Sequence, residues 1–220
     1  MALEDVRKRI REAERRAERR EGSVELVAVS KVQPEERIVS VLDAGHRRFG
    51  ENRVQEAQGR WPDLMARYEG IALHLIGPLQ SNKVKAAVEL FDVIESLDRE
   101  KLAAKLASEM AAQGKRVKLF VQVNTGEEAQ KAGVAPSEVE AFVSMCRDRH
   151  GLEIAGVMAI PPAEDPPSAH FELLRALAER CGVEELSMGM SADFETAIAL
   201  GATSVRVGSG VFGDRVYDQG

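Results

Sequence analysis

Short apolar runs recur along this chain, and a segment with helical spacing follows each of them. The runs are VELVAVS at 24–30, RRFG at 47–50, ALHLIG at 72–77 and DVIES at 92–96, then KLFVQVN at 118–124, EIAGVMAI at 153–160, LSMGM at 186–190 and SVRVG at 204–208. Branched and apolar residues in runs this short suit strands buried on both faces, and helices between such strands force them to run parallel. The intervening helices carry their own stop signals. One pattern runs from Arg99 to Gln113 and is closed by Gly114, and another runs from Pro136 to Arg147 before Gly151 restarts a strand.

Eight such units with no long insertion predict an α/β fold, a (β/α)8 TIM barrel forming one domain over residues 1–220. An open doubly wound sheet is the alternative, though it would be long for a single uninterrupted layer. Ahead of the first strand, Leu3, Val6, Ile10, Ala13 and Ala17 recur at helical spacing, with Glu4–Lys8, Asp5–Arg9 and Glu12–Arg16 as i, i+4 pairs. They predict an extra amphipathic helix lying on the barrel.

A net charge of −6 with 30% charged residues gives no basic surface for nucleic acid. No apolar stretch is long enough to span a membrane, and a cytoplasmic protein is expected. Cys146 and Cys181 lack metal-type spacing and are read as reduced and inert; no metal site is expected.

In a barrel of this kind the chemistry lies at the C-terminal ends of the strands. The junctions there are polar: Ser30-Lys31, Gly50-Glu51-Asn52, Gly77 to Lys83, Asn124-Thr125-Gly126, Met158 to Pro162, Ser187 to Ser191 and Gly208-Ser209-Gly210. The three asparagines of the chain, Asn52, Asn82 and Asn124, all fall at or just after strand ends. A site or plain turn propensity would each put them there.

Lys31 continues the first strand with the parity of Val27 and Val29, so it is expected to rise at the barrel mouth from an apolar wall. Partial burial disfavours the ammonium and frees the amine to attack a carbonyl, which is how Schiff-base lysines arise; a strand-end lysine reaching solvent is the plainer reading. Ser191 after the seventh strand, with Gly208 and Ser209 after the eighth, offers hydroxyls and turned backbone amides to a phosphate. Gly208 to Gly213 also spells G-x-G-x-x-G, but too few residues follow for the helix, strand and ribose-binding acid of a dinucleotide site. Arg206 alternates with Val205 and Val207 and shares a face with Gly208. It is placed either beneath a ring carried by that phosphate or in a structural pair with a carboxylate such as Glu95.

The segments AVSKVQP, FGENRVQEA, HLIGPLQSNKVK, QVNTGEEAQKAGV, GVMAIPP and LSMGMSADFETAIALGATSVRVGSGVFG occur in this order between Val24 and Arg215. On these the chain resembles the pyridoxal phosphate homeostasis protein family, whose barrel is similar to the N-terminal domain of alanine racemase. The resemblance implies pyridoxal 5′-phosphate (PLP) as cofactor and Lys31 as its Schiff-base residue. It also puts Ser191, Gly208 and Ser209 on the phosphate, Arg206 at the pyridine nitrogen, and Asn52 and Met158 beside the ring. His74, Asn82 and Lys131 match motif positions without an assigned role.

Alanine racemase adds a second β domain with an opposing tyrosine, for which this sequence leaves no residues. Tyr68 and Tyr217 are poorly placed to replace it. The expectation is therefore a monomer that stores PLP and delivers it to apo-enzymes with little or no catalysis. A weak amino-acid racemase is the alternative, and an aldolase-like barrel binding a phosphorylated substrate directly is a third reading.

Overall fold

A computed structural model describes residues 3–213. The chain opens with α1 (Leu3–Arg16), followed by β1 (Glu25–Val29), α2 (Glu35–Asp43) and β2 (Arg48–Glu51). Next come α3 (Val54–Gln58), α4 (Trp61–Arg67), β3 (Ala72–Leu75), α5 (Val84–Leu90), β4 (Val93–Leu97) and α6 (Glu100–Gln113). The second half holds β5 (Lys118–Val123), α7 (Val139–His150), β6 (Ile154–Ala159) and α8 (Pro167–Cys181). It ends with β7 (Glu185–Ser187), α9 (Phe194–Ala199), β8 (Ser204–Val207) and α10 (Ser209–Phe212).

The eight strands pair in parallel in chain order, and β1 pairs with β8 to close a barrel. The expected (β/α)8 barrel is thus the observed fold, each strand lying within a residue or so of its predicted start. Strand alternation sorts the core into two layers. Leu73, Ile94, Val121 and Val157 point outward into the large cluster shared with the helices, while Val93, Phe120 and Met158 pack together inside.

α1 buries Leu3, Val6, Ile10 and Ala13, the predicted apolar stripe, in that same outer cluster. Of the predicted pairs, Glu12–Arg16 forms at 3.7 Å; Arg9 instead reaches Glu195 at 2.6 Å and lies over the Phe194 ring, tying α1 to α9. A tertiary partner that is held in place displaces a local one that gains little at the surface. Among the described residues no helix is long and apolar enough to cross a membrane.

Candidate functional site

Closure of the barrel brings the two ends of the sequence together. In the β1–β8 ladder Val27 faces Arg206 and Ala28 faces Val207, which puts the segment after Val29 beside Gly208 and Ser209. A cavity of about 620 Å3 opens at this seam. Lys31, Asn52, Ser191, Arg206, Gly208 and Ser209 all line it. Its apolar walls come from Val29, Ile76, Ile160 and Met190, and the last two are among the few large apolar side chains exposed to solvent.

Lys31 reaches this wall by a different local route than strand continuation. The strand ends at Val29, and residues 30–33 form a turn in which the Gln33 amide donates to the Ser30 carbonyl at 3.1 Å. Val32 within it has φ +52°, a left-handed backbone that a β-branched residue rarely tolerates. A buried polar cluster fixes the turn from below. The Ser30 hydroxyl donates to Glu51 at 2.7 Å, the Trp61 indole donates to the same oxygen at 3.0 Å, and Arg60 donates to the carbonyls of Ser30 and Gln33 at 3.3 and 3.0 Å. Burial pushes the Glu51 carboxyl above its ordinary range despite these bonds. Sequence reasoning missed this support, although Glu51 stands in a junction it had marked as polar.

On the opposite side, the hydroxyls of Ser191 and Ser209 lie 3.4 Å apart. Ser209 begins α10, and the first amides of a helix have no acceptor within it. A Cβ at Gly208 would make only ordinary contacts with Val29, so internal packing does not demand glycine at this position on the cavity wall. Gly77 is demanded: a Cβ there would come within 2.2 Å of the Asn52 carbonyl oxygen, so the segments after β2 and β3 touch and Asn52 is held in place.

Arg206 forms part of the floor. Its guanidinium donates to the Ala159 carbonyl at 2.8 Å and to the Ser187 hydroxyl, and lies 3.7 Å from Glu95. Ser187 donates in turn to Glu95 at 2.5 Å, and His74 Nδ1 meets the other Glu95 oxygen at 2.8 Å. The two sequence readings of Arg206 are therefore compatible, since it lines the cavity and is also paired with Glu95. Burial would raise the Glu95 carboxyl, but the His74 ring, the Arg206 charge and the Ser187 hydroxyl outweigh it and hold the group below its ordinary range. Burial likewise lowers the Arg206 value against the support of Glu95 and Asp193, and an arginine remains charged through such a shift. This network accounts for His74, which the motifs had left without a role.

Other expected residues lie elsewhere. Met158 is fully buried against Val93 and Phe120 and does not line the cavity; Ile160, two residues on, takes the wall position because strand alternation returns the chain to the same side. Asn82 is exposed in the 3-10 turn Ser81–Lys83. Asn124 closes its own loop, donating to the Glu128 carbonyl at 2.8 Å and accepting from the Glu128 amide at 3.2 Å. Of the three asparagines, Asn52 alone lines the cavity. Lys131 is paired with Glu128 at 2.5 Å, away from this wall. Tyr68 donates to Asp43 at 2.7 Å on the outer surface, and Tyr217 lies outside the described residues.

Comparison with known proteins matches the same architecture. Residues 1–216 fit the family model of the alanine racemase N-terminal domain. The pyridoxal phosphate homeostasis protein of Pseudomonas aeruginosa is 40% identical over 96% of this chain and 94% of its own, and that of Vibrio cholerae is 37% identical over 99% and 96%. The chain belongs to the alanine racemase N-terminal domain family, and within it to the pyridoxal phosphate homeostasis proteins. Among solved structures, PipY of Synechococcus elongatus with PLP bound superposes with a TM-score of 0.80 at 36% identity, covering 94% of this chain and 100% of that one. The match extends over nearly the whole of both chains.

Proposed function

We propose that this protein binds PLP through a Schiff base on Lys31 and serves PLP homeostasis in the cytoplasm, storing the cofactor as a monomer and releasing it to apo-enzymes. The observation that carries this reading is the convergence of Lys31, the Ser191–Ser209 hydroxyl pair and Arg206 on one cavity. Each fits one part of the cofactor: an amine for the aldehyde, neutral donors and helix-start amides for the phosphate, a cation for the pyridine nitrogen. A cavity of about 620 Å3 is also of the size that small-molecule sites have. The PLP-bound PipY relative supports the same assignment.

When bound, PLP supplies a reactive aldehyde and an electron-withdrawing ring. Arg206, fixed by Ser187, Glu95 and the Ala159 carbonyl, keeps a proton off the ring nitrogen and so weakens that withdrawal. Ser191 and Ser209 anchor the phosphate without adding a formal charge. A two-base racemase needs an acid on each face of its substrate. Tyr68, committed to Asp43 on the outer surface, does not serve as the second one. Together these features favour holding over turnover.

The test is the visible absorption of the purified protein beside a Lys31→Ala variant, each before and after borohydride reduction. A yellow band that needs Lys31 and is bleached into a covalent adduct is expected. A protein that stays colourless with added PLP would overturn the reading. Incubation with common amino acids in deuterated water should leave the α-proton in place, and Lys31-dependent exchange would restore the racemase alternative.

A further inference from the structure

A second cavity, of about 690 Å3, lies beside the first on the same face of the barrel. The segments after β2, β3 and β4 enclose it, and Asn52 belongs to the walls of both. Its polar lining consists of three cations, Arg53, Lys83 and Arg99, and three carboxamides, Asn52, Gln55 and Gln80. Among the described residues no carboxylate lines it, in a chain whose net charge is −6.

Two of the cations are partly balanced from outside the cavity, Arg53 by Glu56 at 3.1 Å and Arg99 by Asp98 at 2.5 Å. Arg99 also donates to the Leu79 carbonyl at 2.6 Å, which holds its guanidinium against the cavity edge. Lys83, the last residue of the 3-10 turn, has no ion pair to a described residue. Arg53 is largely exposed, yet all three cations line one hollow, where a lining of a single sign focuses the field, and its dividing wall is stiffened by the contact between Gly77 and Asn52.

We propose that this cavity is a binding site for a small dianion, a phosphate monoester or a dicarboxylate, held next to the cofactor cavity. Glu56 and Asp98 offset two of the three cations, so Lys83 supplies the charge that is not balanced by a described carboxylate, while the N–H groups of Arg53 and Arg99 that remain and the carboxamides complete the donor set. Lys31, Ser191, Arg206 and Ser209 take no part, so the site stands whether or not the first cavity holds PLP.

The test titrates two preparations calorimetrically with inorganic phosphate and with succinate: the PLP-loaded protein, whose first cavity is filled, and a Ser191→Ala/Ser209→Ala variant that lacks the hydroxyl pair. Saturable single-site binding of at least one probe to both preparations is expected. Lys83→Ala should weaken it about tenfold or more, as removal of a charge-assisted contact does, while the visible absorption of the loaded protein is unchanged. Arg99→Lys, which keeps the charge and removes the fork, should weaken it as well. Phosphate binding alone identifies a phosphate monoester, succinate alone a dicarboxylate, and both a site that reads charge. No saturable binding of either probe, or binding unaffected by Lys83→Ala, would overturn the proposal. A first cavity that takes no PLP leaves the serine-variant titration to decide.

Discussion

Glu95 and Glu51 are both buried beside the candidate cofactor cavity, Glu95 inside the barrel and Glu51 between β2 and the helix carrying Trp61. Glu95 has both carboxylate oxygens engaged, by His74 on one side and by Ser187 and Arg206 on the other. Glu51 gathers Ser30 and Trp61 on one oxygen and leaves the other buried without a partner. The first arrangement is compensated and its carboxyl is held low; the second is under-compensated and its carboxyl is pushed up. The same residue type thus builds a fully compensated floor under Arg206 and a less compensated support under the Lys31 turn, where Val32 already carries backbone strain. On the proposed function, this division would put grip and release on different strands.

The largest test of this contrast removes the floor. Glu95→Ala leaves the guanidinium of Arg206 buried and unpaired, and should cost about 3–5 kcal/mol in denaturant unfolding. A loss below about 1 kcal/mol would mean that the floor is not compensated as described.

The two carboxyls should next separate by pH. A carboxyl held below its ordinary 4.5 in the fold contributes stability that is full above 4.5 and disappears as pH falls through the folded value, so Glu95→Gln should flatten the acid loss below about pH 4.5. A carboxyl raised in the fold does the reverse. Its contribution is present below 4.5 and lost as pH rises through the folded value, so Glu51→Gln should remove a gain on acidification. Stability curves between pH 3 and 7 that shift in the same direction for both variants would break the comparison.

Smaller effects are expected at the turn. Val32 is more than half exposed, so Val32→Asn removes little packing and relieves a left-handed φ, and should stabilise by about 1 kcal/mol, a rise of roughly 2–4 °C in Tm. Glu51→Gln keeps an acceptor for Ser30 and Trp61 and exchanges a buried unpaired charge-bearing oxygen for a neutral amide nitrogen, and should stay within about 0.5 kcal/mol of the parent at pH 7. A cost there as large as that of Glu95→Ala would put the two supports on an equal footing.

Much of this molecule could be read before its structure was seen, for reasons that differ between parts. The barrel was legible because apolar runs alternating with helical spacing leave few parallel arrangements open. Once β8 must close on β1, Lys31, Arg206 and Ser209 become neighbours although they are remote in sequence. The Lys31 turn was not legible: alternation extrapolates a strand past Val29 and carries no signal for the positive φ of Val32. Nor do asparagines announce their task, since Asn52 at a cavity wall and Asn124 stapling its own loop occupy equivalent strand ends. The Glu51 support depends on Trp61 and Arg60 folding back from the start of α4, a contact between positions whose spacing follows neither period.

Closure of the β1–β8 seam also sets a schedule. During synthesis the lysine emerges within the first fifth of the chain, whereas Ser191 follows the seventh strand and Arg206 and Ser209 arrive only with the last. A growing chain therefore has the amine long before the wall that faces it. The cavity waits for the barrel to shut, and a chain cut short before β8 would lack the side formed by Arg206, Gly208 and Ser209.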